Sequence, residues 1–481
     1  MSYIDDIFEN QIPIAVYCGP QPAFERDGVT YPDKIVEEQY QLLKECGVNT
    51  IFGHEDLFST KNEHLAYRAM DICHKLGLAY FARDYVSYEY CSDGKGKRHY
   101  SELTEAEKDD LDKRYEQSLH KYKDHPAFAG VMFIDEPGES SFEGIRRGKA
   151  VFDRVCPGKK FYVNLFPYNV SAYLYQYGRE KGGTLIDPIY QPVVNTHLER
   201  YQAYLDRYLS VVNPDFVSYD AYSFVGRAGI DNAIHRALWD MTQYVSDVCR
   251  KTGRGYWHFL QCGGRWDNDW NTRITTMADV NLQISVAMAF GTNVLQIFPG
   301  CLPVWFYGGI NHSGVIDAYG NRTEQYPLFQ YAFMQLKKIE KYLVHAQLKG
   351  MLVSDAPYFG MLPSKETIEE IESRESDRAM VTFDGNLHQL GGVQLKEYKE
   401  LKGITSTSQC IVSCFEKNGE TFYFLFNNSA YVAADVTLHF DGDYTYEHTQ
   451  RTVTDTSHGN SLTIHALPAG ENVLIRIVGR A

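Results

Sequence analysis

At 481 residues the chain is longer than one hydrophobic core usually serves, so a large domain joined to a smaller one is expected. Its formal net charge of −15, with no basic stripe, excludes a nucleic-acid backbone or an anionic membrane surface as partner. Apolar residues at 44% are ordinary for a globular protein, whereas aromatics at 14%, with 36 tyrosines and 26 phenylalanines, can fill a core and still line a cleft for flat, hydroxylated ligands.

The opening MSYIDDIFENQIPIAV is acidic and lacks the basic and apolar regions of a secretory signal. No later stretch has the ~18 uninterrupted apolar residues of a membrane span. A soluble, cytoplasmic protein is expected, and a homo-oligomer is compatible with the sequence. Ten cysteines, among them Cys18, Cys46, Cys73 and Cys156, form no CxxC pair, which predicts reduced core thiols rather than a zinc cluster or a redox motif.

In chain order, eight short β-rich apolar runs alternate with amphipathic helical stretches: IPIAVYCG (12–19), NTIFGHED (49–56), LAYFARDY (78–85), FAGVMFIDE (128–136), FYVNLFPY (161–168), FVSYDAYSF (216–224), YWHFLQCGG (256–264) and NVLQIFPG (293–300). Between the first three lie DKIVEEQYQLLKECG and HLAYRAMDICHKLG, each closing on a glycine suited to a helix C-terminus. QYPLFQYAFMQLKKIEKYL supplies the eighth helix. Eight βα units over residues 1–345 predict an α/β fold, a (β/α)8 TIM barrel.

From about residue 346 the pattern changes to short alternating runs, in which CIVSCFEKNGETFYFLFNN carries Asn418-Gly419 as a type I′ hairpin signal. VTLHF and LPAGENVLIRIV continue it, so residues 346–481 predict an antiparallel β-sandwich accessory domain with no acid cluster of its own. KETIEEIESRESDR reads as a solvated, charged segment.

Barrel chemistry sits at the C-terminal ends of the strands, where the βα loops form a cup over a packed core. The second run ends in His54-Glu55-Asp56, the third in Arg83-Asp84-Tyr85, and the fourth in Asp135-Glu136. The fifth offers Asn164 and Tyr168, the sixth Tyr219-Asp220 with Tyr222, and the seventh Trp257-His258 and Gln261, with Arg265 and Trp266 beyond. Polar groups from six strands thus converge on one mouth. Two carboxylates there suit acetal cleavage, in which one acid protonates the leaving oxygen while a second carboxylate attacks or directs water. Glu136 is the expected acid, because a carboxyl where a buried strand opens into a pocket is desolvated enough to hold a proton.

The run GVMFIDEP resembles the fourth-strand motif of clan A glycoside hydrolases, the (β/α)8 superfamily that includes family 42 β-galactosidases, where an apolar strand leads into Asn-Glu-Pro. The resemblance implies that Glu136 is the general acid/base and that Asp135 stands where an asparagine holds the sugar's 2-hydroxyl. It extends loosely over residues 12–345, including GTNVLQIFPG and GVIDAYGNRTEQY, and the trailing sandwich is similar to those of such enzymes. One departure stands out: the family's nucleophilic glutamate at the end of strand seven corresponds to Gln261, and an amide cannot serve as a carboxylate nucleophile. Another carboxylate serves, the substrate's own group attacks, or the protein binds sugar without cutting it.

Asp220 is the best replacement, with a positioning role for an arginine or hydroxyl as its alternative; pairing with Glu136 would favour inversion. Asp135 should point away from Glu136, since adjacent strand residues face opposite sides. His54, Glu55, Arg83 and Asp84 would bind vicinal hydroxyls, or else stitch barrel loops by ion pairs. Asn164, Tyr168, Tyr222, His258 and Gln261 would line the cup. Among Trp257, Trp266, Trp270 and Trp305, the loop residues Trp266 and Trp305 are favoured for stacking on a sugar face, and core burial is the ordinary role for any of them. A glycosidase without cofactor, acting on a small glycoside or oligosaccharide, is the expectation. The rivals are a metal-dependent sugar isomerase or epimerase using His54, Glu136, Asp220 and His258, and a non-catalytic carbohydrate-binding barrel.

Overall fold

The computed structural model describes residues 2–53, 57–91, 98–167, 175–176, 197–220, 222–227, 230–234, 237–266, 271–303, 310–312, 314–358 and 393–480. Eight parallel strands close a barrel: β1 (Ile14–Val16), β2 (Thr50–Phe52), β3 (Ala79–Arg83), β4 (Phe128–Asp135), β5 (Lys160–Leu165), β6 (Phe216–Tyr219), β7 (Gly255–Gln261) and β8 (Val294–Phe298). β1 completes the circle by pairing with both β2, through Ala15 and Thr50, and β8, through Val16 and Ile297. Each of the eight runs read from the sequence coincides with one of these strands, β5 and β7 beginning one residue before their runs.

The strand period of two separates the inside of the barrel from the outside. Tyr17, Phe52, Phe81, Met132, Tyr162, Phe216, Trp257 and Phe259 fill the interior as one cluster, with the Trp257 and Phe216 rings stacked at 4.0 Å. Trp257 is therefore a core residue and presents no stacking face to a ligand. Helix α1 (Tyr3–Asn10) closes the N-terminal end of the barrel, its Ile4 and Ile7 joining the interior cluster and its Phe8 ring stacking on Trp257 at 6.2 Å. A Ser2–Asp5 capping box begins it, the two residues exchanging bonds of 2.9 and 3.2 Å.

Outside lie α2 (Glu37–Glu45), α3 (Glu63–Leu76), α4 (Tyr85–Tyr88), α5 (Glu105–Tyr122), α6 (Phe142–Val155), α7 (His197–Val212), α8 (Ala237–Thr252), α9 (Met277–Ala289) and α10 (Gln325–Leu343). Gly47 and Gly77 follow α2 and α3 with φ of 105° and 69°, the left-handed terminus their sequence foretold. No helix among the described residues is long and apolar enough to cross a membrane.

The C-terminal strands are β9 (Gln347–Val353), β10 (Leu401–Ser406), β11 (Cys410–Lys417), β12 (Glu420–Asn427), β13 (Ala434–Gln450), β14 (Val453–Leu467) and β15 (Asn472–Arg480). They run antiparallel in the order β9-β11-β12-β15-β13-β10, with β14 on β13. The long β13 joins two layers: its first half pairs with β10, and after a register shift between His439 and Tyr444 its second half pairs with β15. Val412, Tyr423, Leu425, Leu438, Tyr446 and Ile475 pack between the layers, which makes the domain a β-sandwich. Asn418 and Gly419, at φ of 53° and 84°, turn β11 into β12 as a type I′ hairpin requires.

The opposite face of β12, carrying Phe422, Phe424 and Phe426, shares the barrel's outer core. Helix α9 is wedged between the domains and is buried all round from Asp279 to Ala289, which explains its lack of a polar face. Ser285 donates to the Gly470 carbonyl at 2.8 Å and accepts from Asn472 at 2.9 Å across that seam.

Candidate active site

A second, five-stranded antiparallel sheet rises from the loops after β6, β7 and β8, in the order Ile230–Ile234, Phe224–Arg227, Asn271–Thr272, Gly264–Trp266 and Ile310–His312. These loops belong to the C-terminal face of the barrel, where substrate sites of this fold are built. The sequence reading did not foresee this sheet.

At the mouth, β4, β5 and β6 bring three carboxylates together. Asn164, buried on β5, donates from Nδ2 to Asp135 Oδ1 at 3.0 Å and to Asp220 Oδ1 at 2.7 Å. Asp135 is exposed at the end of β4, and Asp220 is 7% exposed just past β6, its amide donating to the Leu165 carbonyl at 3.2 Å. Glu136 follows Asp135 with only 4% exposure and a φ of 48°. That left-handed backbone is unusual for a non-glycine residue, more so before a proline, and costs roughly 1 kcal/mol or more. The Glu136 amide donates to the Asn164 carbonyl at 2.8 Å and the Tyr204 hydroxyl donates to the Pro137 carbonyl at 2.7 Å, which together hold the bend.

Tyr222 stands within electrostatic reach of all three acids. Burial first, and then the negative charges of Asp220, Asp135 and Glu136, push its phenol well above the usual value, so it stays a proton-bearing donor. Its ring rests near Phe298, 5.3 Å between centroids. Arg83 at the end of β3 donates from Nε to the Tyr88 hydroxyl at 3.1 Å and shares the surroundings of Tyr17 with Asp135.

Tyr17 was missed by the sequence reading. It lies in the run IPIAVYCG just past β1, and its ring packs against Phe52, Tyr162, Phe259 and Phe298. Its hydroxyl is buried without a hydrogen-bond partner among the described residues, and burial, then Asp135, raise its titration well above normal. An aromatic residue directly after an otherwise aliphatic first strand was the available signal.

Three expected site residues do not join the cup. Asp84 is buried toward α5, where it caps α4 through Val86 N at 3.0 Å and accepts from the Tyr122 hydroxyl at 2.8 Å. Burial pushes its carboxyl up to about 6. His258 lies on the outer face of β7, buried with Tyr219 and Tyr256, and its Nδ1 is 2.6 Å from the Tyr256 hydroxyl. Burial brings its imidazole down to about 3, so it is neutral. Gln261 points inward, but its amide is committed to backbone: Oε1 accepts from Phe224 N at 3.0 Å, and Nε2 donates to the carbonyls of Phe224 and Arg273, each at 3.0 Å. It pins the loop sheet to β7 and has no donor to spare for a ligand.

His54, Glu55, Tyr168 and Trp305, like Trp270 and the KETIEEIESRESDR segment, lie outside the described residues. Trp266 is described only as the last residue of a loop-sheet strand. Among the described residues, no group of three or more His, Cys, Asp or Glu side chains could hold a metal ion.

No family model matches the sequence, and no curated protein matches it. Solved structures match the fold. The cold-adapted β-galactosidase of Rahnella sp. R3 aligns with a TM-score of 0.54 at 10% identity, over 98% of this chain and 98% of that one. The β-galactosidase of Bacillus circulans sp. alkalophilus aligns at 0.50 and 11% identity, over 97% and 99%. A structure described as a glycoside hydrolase aligns at 0.50 and 10% identity, over 97% and 92%. At such identities the likeness is one of overall fold.

Proposed function

We propose that the chain is a glycoside hydrolase that cleaves an O-glycosidic bond of a small glycoside or oligosaccharide, with Glu136 as general acid and Asp220 as the second carboxylate. The observation that carries this reading is the grouping at the barrel mouth: a nearly sealed glutamate beside two aspartates joined through one amide. Withdrawal from water favours the protonated form of a carboxyl, which suits Glu136 to hand a proton to a departing oxygen. Asp220 accepts an amide N–H, which suits it to remain an anion and to attack the anomeric carbon or direct a water there. The strained backbone at Glu136 is the kind of cost retained at functional positions. Asp135, Arg83 and Tyr222 would hold sugar hydroxyls, and Trp266 and Trp305 remain proposals for stacking, as do His54, Glu55 and Tyr168 for binding.

The architecture shared with β-galactosidases supports the general class and leaves the sugar open. An isomerase centred on a divalent ion is less favoured, because His258, one of its four ligands, faces away from the cup. A panel of nitrophenyl glycosides tests the proposal, with proton NMR of the first sugar released reading the anomeric outcome. Hydrolysis that survives EDTA supports it. Binding of intact glycosides without turnover would select a sugar-binding barrel, and loss of activity in EDTA with recovery on a divalent ion would select the metal enzyme.

A further inference from the structure

Beneath the carboxylates, side chains from β5, β6 and β8 form a closed hydrogen-bond set. Ser218 on β6 is fully buried, and its Oγ has three partners: Asn164 Oδ1 at 3.1 Å, the Tyr162 hydroxyl at 2.9 Å and Gln296 Nε2 at 2.9 Å. A serine hydroxyl offers one proton and two acceptor positions. Gln296 Nε2 can only donate to it. Asn164 Oδ1 can only accept, so the serine proton goes there and the Tyr162 hydroxyl donates in its turn. All three capacities are then filled. The Asn164 amide is left with one orientation, oxygen toward Ser218 and both N–H bonds on Asp135 and Asp220. The reverse would set its oxygen against two carboxylates.

We infer that Ser218 is a positioning residue of the cup, fixing through Asn164 the spacing and aim of the Asp135 and Asp220 carboxylates. The N–H bonds of a planar amide diverge by about 120°, which places the two acceptor oxygens about 5 Å apart. An amide free to rotate would not hold that separation. Serine is the side chain the place demands: a fully buried hydroxyl with two donors already aimed at it has its single proton available for Asn164. The catalytic consequence rests on the glycosidase reading of Asp220, whereas the clamp itself does not.

Ser218→Ala tests both parts in the full chain. With asparagine-selective 15N labelling, and Asn164→Asp to assign the signals, the two Asn164 amide protons of the parent protein should be resolved and slow to exchange with solvent. In Ser218→Ala they should exchange about 10-fold faster or more, because the amide oxygen loses the donor that fixes its orientation. Tyr162→Phe removes a donor to Ser218 but leaves the bond to Asn164, so it should keep the parent signals. Ser218→Cys, with a weaker donor in the same place, gives the reading if the alanine variant does not fold. Unchanged signals in the Ser218 variants, or equal disturbance in Tyr162→Phe, would overturn the inference. On a nitrophenyl glycoside, kcat should fall about 10-fold with KM changed less than about 2-fold. Disturbed signals with unchanged kcat would sink the positioning role, whereas absence of any hydrolysis by the parent protein would sink the function and leave the clamp standing.

Discussion

Gln261→Glu installs the residue type that the resemblance to clan A hydrolases implies at the end of strand seven, and the geometry predicts that it weakens the fold instead of supplying a nucleophile. The Gln261 Nε2 donates to the Phe224 and Arg273 carbonyls at 3.0 Å each and to the Gly263 carbonyl at 3.4 Å. A glutamate places an oxygen there, which can bond a carbonyl only while it keeps its proton. Holding a carboxyl with an ordinary value near 4.3 neutral at about pH 7 costs about 4 kcal/mol, and ionising it against carbonyl oxygens in a buried place costs a comparable amount. The folded state therefore raises the titration of the new group. Its contribution is intact below the unfolded value and is lost as pH climbs through the folded one. Urea unfolding from about pH 4 to about pH 8 should show the variant close to the parent at the acid end and weaker by roughly 3–4 kcal/mol at the alkaline end. Equal stability at about pH 7, or a gain of hydrolytic activity, would refute this account of Gln261.

His258 is brought down to about 3 by burial, so the unfolded chain takes up a proton that the folded one refuses. The stability it confers is complete above the unfolded value of about 6.5 and is lost as pH falls toward the folded one, a difference of about 4 kcal/mol by about pH 3. His258→Asn should flatten that acid limb in urea titrations, and an unaltered slope would show that the imidazole is not the source. Asp84 runs the other way: with its carboxyl raised to about 6, its contribution is present below the unfolded value of about 3.9 and fades as pH rises through about 6. Asp84→Asn should remove that decline between about pH 4 and about pH 6, with glycoside hydrolysis unchanged because the side chain faces α5.

The barrel was legible because each strand carries a compact apolar run followed by polar residues, and the helices between end on glycines or caps that punctuate them. Asp135 and Asp220 are joined through the Asn164 amide, and Tyr222 lies within electrostatic reach of both and of Glu136. The misplaced residues follow from side-chain alternation. In GYWHFLQ, Trp257, Phe259 and Gln261 face inward and His258 outward, and in Arg83-Asp84 the first turns to the cup and the second to α5. Counting by twos from the apolar residues would have separated them. The loop sheet was not legible, since its strands of two to five residues are too short to show a period. Without that sheet, the commitment of Gln261 to backbone could not be foreseen, nor could the Ser218–Asn164 clamp, which depends on partners from four separate strands.

Glu136 as proton donor is the central claim, and the dependence of Glu136→Gln on leaving group tests it most directly. For a phenyl glycoside, whose oxygen departs poorly without a proton, kcat/KM should fall about 10²–10⁴-fold, while a dinitrophenyl glycoside of the same sugar should lose far less. Equal losses for both, or no loss for either, would contradict the assignment.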